Sequence, residues 1–182
     1  LNGLKFSMLK PSRQRLIKNS SMRMIVLSSR ANEDIRNDMF GRINTSSVPL
    51  LAMETRRGIY RGKFMDFITS LAENKQFKKL CPMDKHFLNR REEEELILRF
   101  FAFTDGYPKF NLNGVNLEHS GVAKFIDTYL DMQNQNQTDV QIEKKKKAFF
   151  DMLNFVEKTF GDKGFGKYKN SQATSRPYFE AI

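Results

Sequence analysis

Cysteine occurs once in this chain of 182 residues, histidine twice and tryptophan not at all. A single cysteine excludes a disulfide framework and any zinc site built on cysteines. Two isolated histidines, His86 and His119, rule out a His-rich metal centre or a His-Asn-His nuclease site, and the acids form no Asp-rich metal motif. No run of about 18 apolar residues occurs, and no signal-peptide core opens the chain. The sequence therefore reads as neither membrane-spanning nor secreted, and a reduced, cytoplasmic protein is the expectation. Acid is absent in one place: residues 1–30 hold Lys5, Lys10, Arg13, Arg15, Lys18, Arg23 and Arg30 with no Asp or Glu.

That segment carries seven of the ten excess positive charges. Clustered base attracts phosphate, of nucleic acid or of nucleotides; the other reading is that its acidic partners lie in a missing N-terminal portion. Lys10, Arg13, Arg15, Lys18 and Arg23 are the candidate phosphate contacts. Residue 1 is Leu and residues 178–182 read as a helix cut in mid-turn, so a fragment is expected. Hydrophobic residues make up 40% and Phe alone numbers 17, enough for a core at this length.

The pattern predicts a mainly α fold, α+β at most: a bundle-like helical domain over 31–182 behind a basic segment over 1–30. One or two short strands are expected near the N-terminus, with residues 22–27 (MRMIVL) the best candidate. Asn32 caps an expected helix whose apolar positions are Ile35, Met39, Phe40 and Ile43. Pro49 suits the first turn of the next helix, and Gly58 and Gly62 interrupt the chain before a helix over about 63–74. Asn89 is the expected cap of a helix over 90–103, in which Arg99 stands inside an apolar run and needs a partner or a ligand. Residues 104–114 read as a loop. Ser120 starts an amphipathic helix, 133–137 turn the chain, and Thr138 with Gln141 forms a capping box for a helix reaching Phe160. Together these make an expected helical hairpin over about 120–160.

Residues 161–167 (GDKGFGK) match seven positions of a phosphate-binding loop, but Tyr168 stands where Ser or Thr should hold magnesium. The stretch follows a helix instead of a buried strand. A flexible glycine-rich loop, with Gly161 as helix C-cap, is the better reading. Lys144 to Lys147 read as a solvated helix face, and Cys81 as a core residue.

The stretch 40–64 (FGRINTSSVPLLAMETRRGIYRGKF) is the most informative. Arg42 and Asn44 flank a helix end, Glu54, Arg56 and Arg57 lie on the next helix, and Arg61 follows. Such arginines bind phosphate or carboxylate as planar forks. Alternatively Glu54 and an arginine form an internal ion-pair network that locks two helices, and the residue chemistry alone favours that network.

This stretch resembles the N-terminal domain of GmrSD-type restriction endonucleases. The likeness rests on Phe40, Arg42, Ile43, Asn44, Thr45, Pro49, Leu50, Glu54 and Arg56, then on Arg57, Tyr60, Arg61, Gly62 and Phe64. Further blocks fit: 71–74 (LAEN) with Phe77, 95–100 (ELILRF), and Arg176, Phe179, Glu180 and Ala181. The resemblance implies a ParB/sulfiredoxin-like, nucleotide-hydrolysing domain in bacterial defence against modified or phage DNA. It places the family's nucleotide chemistry on an Asp-Gly-Gln-Gln-Arg motif upstream of the matched region, and a His-Asn-His nuclease domain downstream in many members. This chain contains neither. The resemblance thus implies the helical half of such a protein, not catalytic alone, without a cofactor of its own and without a membrane. NTP with magnesium would act in the complete protein, and DNA, the missing N-terminal lobe and the nuclease domain would be its partners. Arg42, Asn44, Glu54 and Arg56, then Arg61 and Arg99, are the implied nucleotide- or DNA-binding residues. The rival expectation is a non-enzymatic basic helical module that binds nucleic acid or a partner protein.

Overall fold

A computed structural model describes residues 4–21, 24, 39, 50–169, 171 and 173–181. The chain divides into two compact units, 1–40 and 41–182. In the first, a short 3-10 turn at Phe6–Met8 precedes helix α1 (Pro11–Asn19), which opens on proline at its first position. The Gln14 amide ties the two together by donating to the carbonyls of Phe6 and Leu9 at 3.1 and 2.9 Å. None of the α1 residues is buried. The expected strand at 22–27, apart from residue 24, and the helix expected after Asn32, apart from residue 39, lie outside the described residues.

The second unit is helical: α2 (Ala52–Ile59), α3 (Lys63–Ala72), α4 (Lys75–Leu80), α5 (Lys85–Asn89), α6 (Glu92–Gly106), α7 (Leu117–Asn136), α8 (Asp139–Phe160) and α9 (Arg176–Glu180). A mainly α fold is what the periodicity predicts. The described β structure is one antiparallel hairpin in mid-chain, β1 (Asn111–Leu112) with β2 (Val115–Asn116). It corrects the loop expected over 104–114, and its cause is local. Asn113 and Gly114 take φ of 48° and 81°, the left-handed pair that a two-residue hairpin turn requires.

Helix α6 is central. Leu96, Ile97, Leu98, Phe101 and Ala102 are buried around most of its circumference, against α3, α7 and α2. It begins at Glu92 rather than at Arg90, because Arg91 adopts a left-handed φ of 62°. Asn89 is therefore no cap; it ends α5, which Asp84 caps by accepting from the backbone of His86 and Phe87. Helix α3 contributes Phe64, Phe67, Ile68 and Leu71 at helical spacing. Phe64 meets Phe101 and Tyr129 with ring centroids 6.0 and 5.8 Å apart, and Phe149 reaches Phe101 at 5.9 Å and Phe77 at 5.6 Å. Each such burial stabilises by about 1.5–3 kcal/mol. At Gly62 a Cβ would stand 2.6 Å from the side-chain oxygen of Asn134 on α7, so that side chain, which accepts from Met65 N–H at 3.2 Å, would have to shift.

Helix α7 begins earlier than Ser120, with Asn116 as cap, and breaks at Gly121 (φ 77°). It runs through the expected linker to Asn136. The capping box forms as predicted: Thr138 accepts from Gln141 N–H at 3.4 Å, and the Gln141 side chain accepts from Thr138 N–H at 2.9 Å. The hairpin of α7 and α8 is thus present in sequence. Its packing differs, since α8 lies on α4 while α7 lies on α6 and α3.

After Gly161, which does cap α8 (φ 55°), the glycine-rich stretch is anchored, not flexible. Phe165 N–H donates to Leu80 O at 2.9 Å, Ser175 N–H donates to Phe165 O at 2.9 Å, and Gly166 bridges to Thr174. Phe165 is fully buried with its ring 4.6 Å from that of Phe179. The buried aromatic overrides the glycines.

Candidate functional site

Two charged assemblies stand out in the helical unit. The first is built on α2. Helical spacing sends Glu54, Arg56 and Arg57 of this helix to different neighbours. The Glu54 carboxylate accepts from Leu51 N–H at 2.8 Å and from Arg90 Nε at 2.9 Å. Arg56 is 3% exposed. Its Nη1 donates to Glu95, its Nε to Asp127 at 2.6 Å and its Nη2 to the Ala123 carbonyl at 3.3 Å. Burial alone would pull the Arg56 guanidinium down; Glu95 and Asp127 outweigh it and hold it above its ordinary value. Arg57 donates to Glu94 at 2.8 Å.

Glu95 then links onward to Arg99 at 2.8 Å, and Arg99 reaches Glu180 of α9 at 2.8 Å. Arg176 at the start of α9 bonds to Glu92 at the start of α6. Of the residues singled out from sequence, the structure therefore brings Arg56 and Arg99 together through Glu95, while Glu54 faces Arg90. All three have protein partners. Arg61 is exposed and pairs with no carboxylate among the described residues. Arg42, Asn44 and Arg23 lie outside the described residues.

The acceptors of Arg56, the buried Glu95 and the half-exposed Asp127, are not evident from the sequence. The four-glutamate run reads as charge at a helix start, yet Glu94 and Glu95 are turned inward. Asp127 had one usable signal, an acid between Ile126 and Tyr129 on the apolar face.

The second assembly joins α6, α7 and α8. Tyr129 is fully buried and its hydroxyl donates to Asp105 at 2.7 Å. Lys145 donates to the Tyr129 oxygen at 3.0 Å and also to Asp105. Its ammonium lies 5.5 and 5.7 Å from the ring centres of Tyr129 and Phe101. Burial first, then the Asp105 charge, raises the Tyr129 hydroxyl well above its ordinary value. Within the lysine run, Lys144, Lys146 and Lys147 are exposed as expected, but Lys145 is directed inward with its side chain 14% exposed. Beside this triad opens a cavity of about 400 Å³ between the ends of α6 and α7 and the start of α8.

In the first unit Lys10, Arg13, Arg15 and Lys18 are exposed, and none forms an ion pair with a described carboxylate. Lys18 lies 5.9 Å over the Phe6 ring. Among the described residues no group of three His, Cys, Asp or Glu side chains is placed to hold a metal ion, and no helix is long and apolar enough to cross a membrane. Comparison with protein-family models, with curated proteins and with solved structures gives no match.

Proposed function

We propose that this chain is the helical half of a GmrSD-like, NTP-dependent DNA restriction protein, supporting the nucleotide and DNA site without catalysing alone. One observation carries the reading. Three of the separated sequence blocks behind the resemblance converge in a single ion-pair network that is buried at Arg56–Glu95 and reaches the surface at Arg99–Glu180: Arg56 comes from the first block, Glu95 and Arg99 from the second, Glu180 from the last. Arginines held in this way are a scaffold. Contact with DNA phosphates then falls to the acid-free segment, through Lys10, Arg13, Arg15, Lys18 and Arg23.

The test is phage challenge of bacteria expressing the complete reading frame, with NTP hydrolysis measured on the purified product. Protection that is lost in Arg42→Ala, with the fold retained, supports the reading. No protection and no hydrolysis from the complete product would overturn it.

The exposed cations of α1, which form no ion pair with a described carboxylate, favour one second reading, a non-enzymatic module that binds nucleic acid. Fluorescence anisotropy with duplex DNA separates the two. Phosphate contact alone weakens with salt at a logarithmic slope of about 0.9 per phosphate neutralised and needs no nucleotide.

A further inference from the structure

The glycine-rich loop after α8 carries a surface that the scaffold does not explain. Phe160 before it, Tyr168 on it and Tyr178 of α9 are 41, 67 and 44% exposed, and each ring has a lysine against it. The Lys163 ammonium lies 6.0 Å from the centre of the Phe160 ring and 5.3 Å from that of Tyr178. Lys167 lies 5.5 Å from the centre of the Tyr168 ring. Exposed apolar side chains scattered singly are ordinary; three rings at one loop, each beside a cation, are not. Among the described residues, Lys163, Lys167 and Lys169 form no ion pair with a carboxylate, and Asp162 is the one acid in 161–169. The backbone that carries them is fixed: Phe165 is buried, and its N–H and carbonyl bond to Leu80 and Ser175. Between Phe160 and Tyr178 opens a mainly apolar cleft of about 230 Å³, bordered also by Lys163, Gly164 and Ala181.

Open rings interleaved with ammonium groups complement a polymer that alternates flat bases with phosphates. In a duplex the bases stack on one another and hide their faces; in a single strand those faces are open to aromatic side chains. We propose that this surface binds single-stranded nucleic acid. One base enters the cleft between Phe160 and Tyr178, a further base stacks on Tyr168, and Lys163, Lys167 and Lys169 meet the phosphates. A cleft of about 230 Å³ lies below the range of sites that enclose a small-molecule ligand, so it suits one base and not a free nucleoside triphosphate. The surface uses none of the residues 1–30 and none of the Arg56 network, and the proposal stands whether or not the restriction reading holds.

Fluorescence anisotropy of the purified chain with labelled oligothymidylate of about 12 nucleotides, and with a duplex of the same length, tests it. The single strand should bind more tightly than the duplex at equal salt. Tyr168→Ala, Phe160→Leu and Tyr178→Leu should each weaken single-strand binding by about fivefold to a hundredfold, the worth of one base–aromatic stack, and leave duplex binding unchanged. Lys163→Gln should lower the logarithmic salt slope by about 0.7, the share of one phosphate on a single strand. The chain has five tyrosines and no tryptophan, so stacking on Tyr168 and Tyr178 should quench the emission of the parent protein, a readout that survives if a variant fails to fold. Equal affinity for single strand and duplex, unquenched emission, or folded ring variants with unchanged affinity would overturn the proposal. Any of these would leave nucleic-acid contact to residues 1–30, and the restriction reading would survive. Co-sedimentation with vesicles of phosphatidylserine and phosphatidylcholine, without oligothymidylate binding, would overturn it as well and make the surface a membrane contact.

Discussion

Arg56 of α2 and Glu95 of α6 bond to each other with both side chains only 4% exposed. A pair so deeply placed is held by geometry, and Asp127 and Arg99 complete it on either side. Removing one member leaves a charge in a medium that cannot solvate it.

Arg56→Met or Glu95→Leu should each lower stability by about 3–5 kcal/mol, the cost of stranding a buried charge. Arg56→Met combined with Glu95→Leu should cost less than the two losses added, because the stranded charge goes with its partner. Urea denaturation of the four proteins measures this. Single variants that unfold like the parent would sink the scaffold role and return Arg56 to the ligand-binding candidates.

The same pair shows how far the sequence carries. Helical periodicity placed α3, α8 and most of α6, because their apolar spacing is strong and tertiary packing agrees with it. The need of Arg99 for a partner was also legible, since a cation inside an apolar run has few alternatives. The identity of that partner was not: Glu180 lies 81 residues away, and no local pattern encodes such a distance. Backbone conformation misled twice, at Arg91, whose left-handed φ shifts the start of α6, and at Asn113-Gly114, which make a hairpin out of an expected loop. Gln137 read as linker because its polarity is ordinary; only the fold shows its carboxamide to be buried.

Gly164 is the position where glycine is required most strictly. Its φ is 48°, and a Cβ would lie 2.9 Å from the carbonyl carbon of Leu80 and closer still to its oxygen. Both faults act together in Gly164→Ala, which should cost about 2 kcal/mol or more in thermal or urea unfolding. Lys167→Ala, in the same loop, should leave stability within about 0.5 kcal/mol and any nucleotide affinity unchanged. A nucleotide affinity that falls with Lys167→Ala would revive the phosphate-loop reading.

Cys81 is 1% exposed and burial pushes its thiol up to about 12, although Thr174 Oγ1 donates to the sulfur at 3.2 Å. Thiolate is the reactive form, so the native thiol should be inert to a disulfide reagent near neutral pH. One equivalent should react once denaturant opens the core. Rapid labelling of the native protein would show that the wall formed by 80–82 and 174–175 opens locally.

Glu94 gives the fold a pH dependence of uncommon sign. Burial holds its carboxyl above the usual range, against the pull of Arg57, Arg91 and the nearby Thr69 hydroxyl, and no group makes a well-formed hydrogen bond to its buried Oε2. The folded chain therefore keeps this proton more tightly than the unfolded chain does. Between the ordinary carboxylate range and the raised value, the native state binds more protons, so this group's contribution to stability falls as pH rises. Above the raised value the loss is complete and the contribution is flat. Glu94→Gln removes that titration, and the variant's stability relative to the parent should climb as pH rises through the window. Urea unfolding of both proteins at a series of mildly acidic to neutral pH values measures the difference. A difference that stays constant with pH would mean that Arg57 and Arg91 hold Glu94 ionised in the fold, and that its second oxygen has a water for a partner.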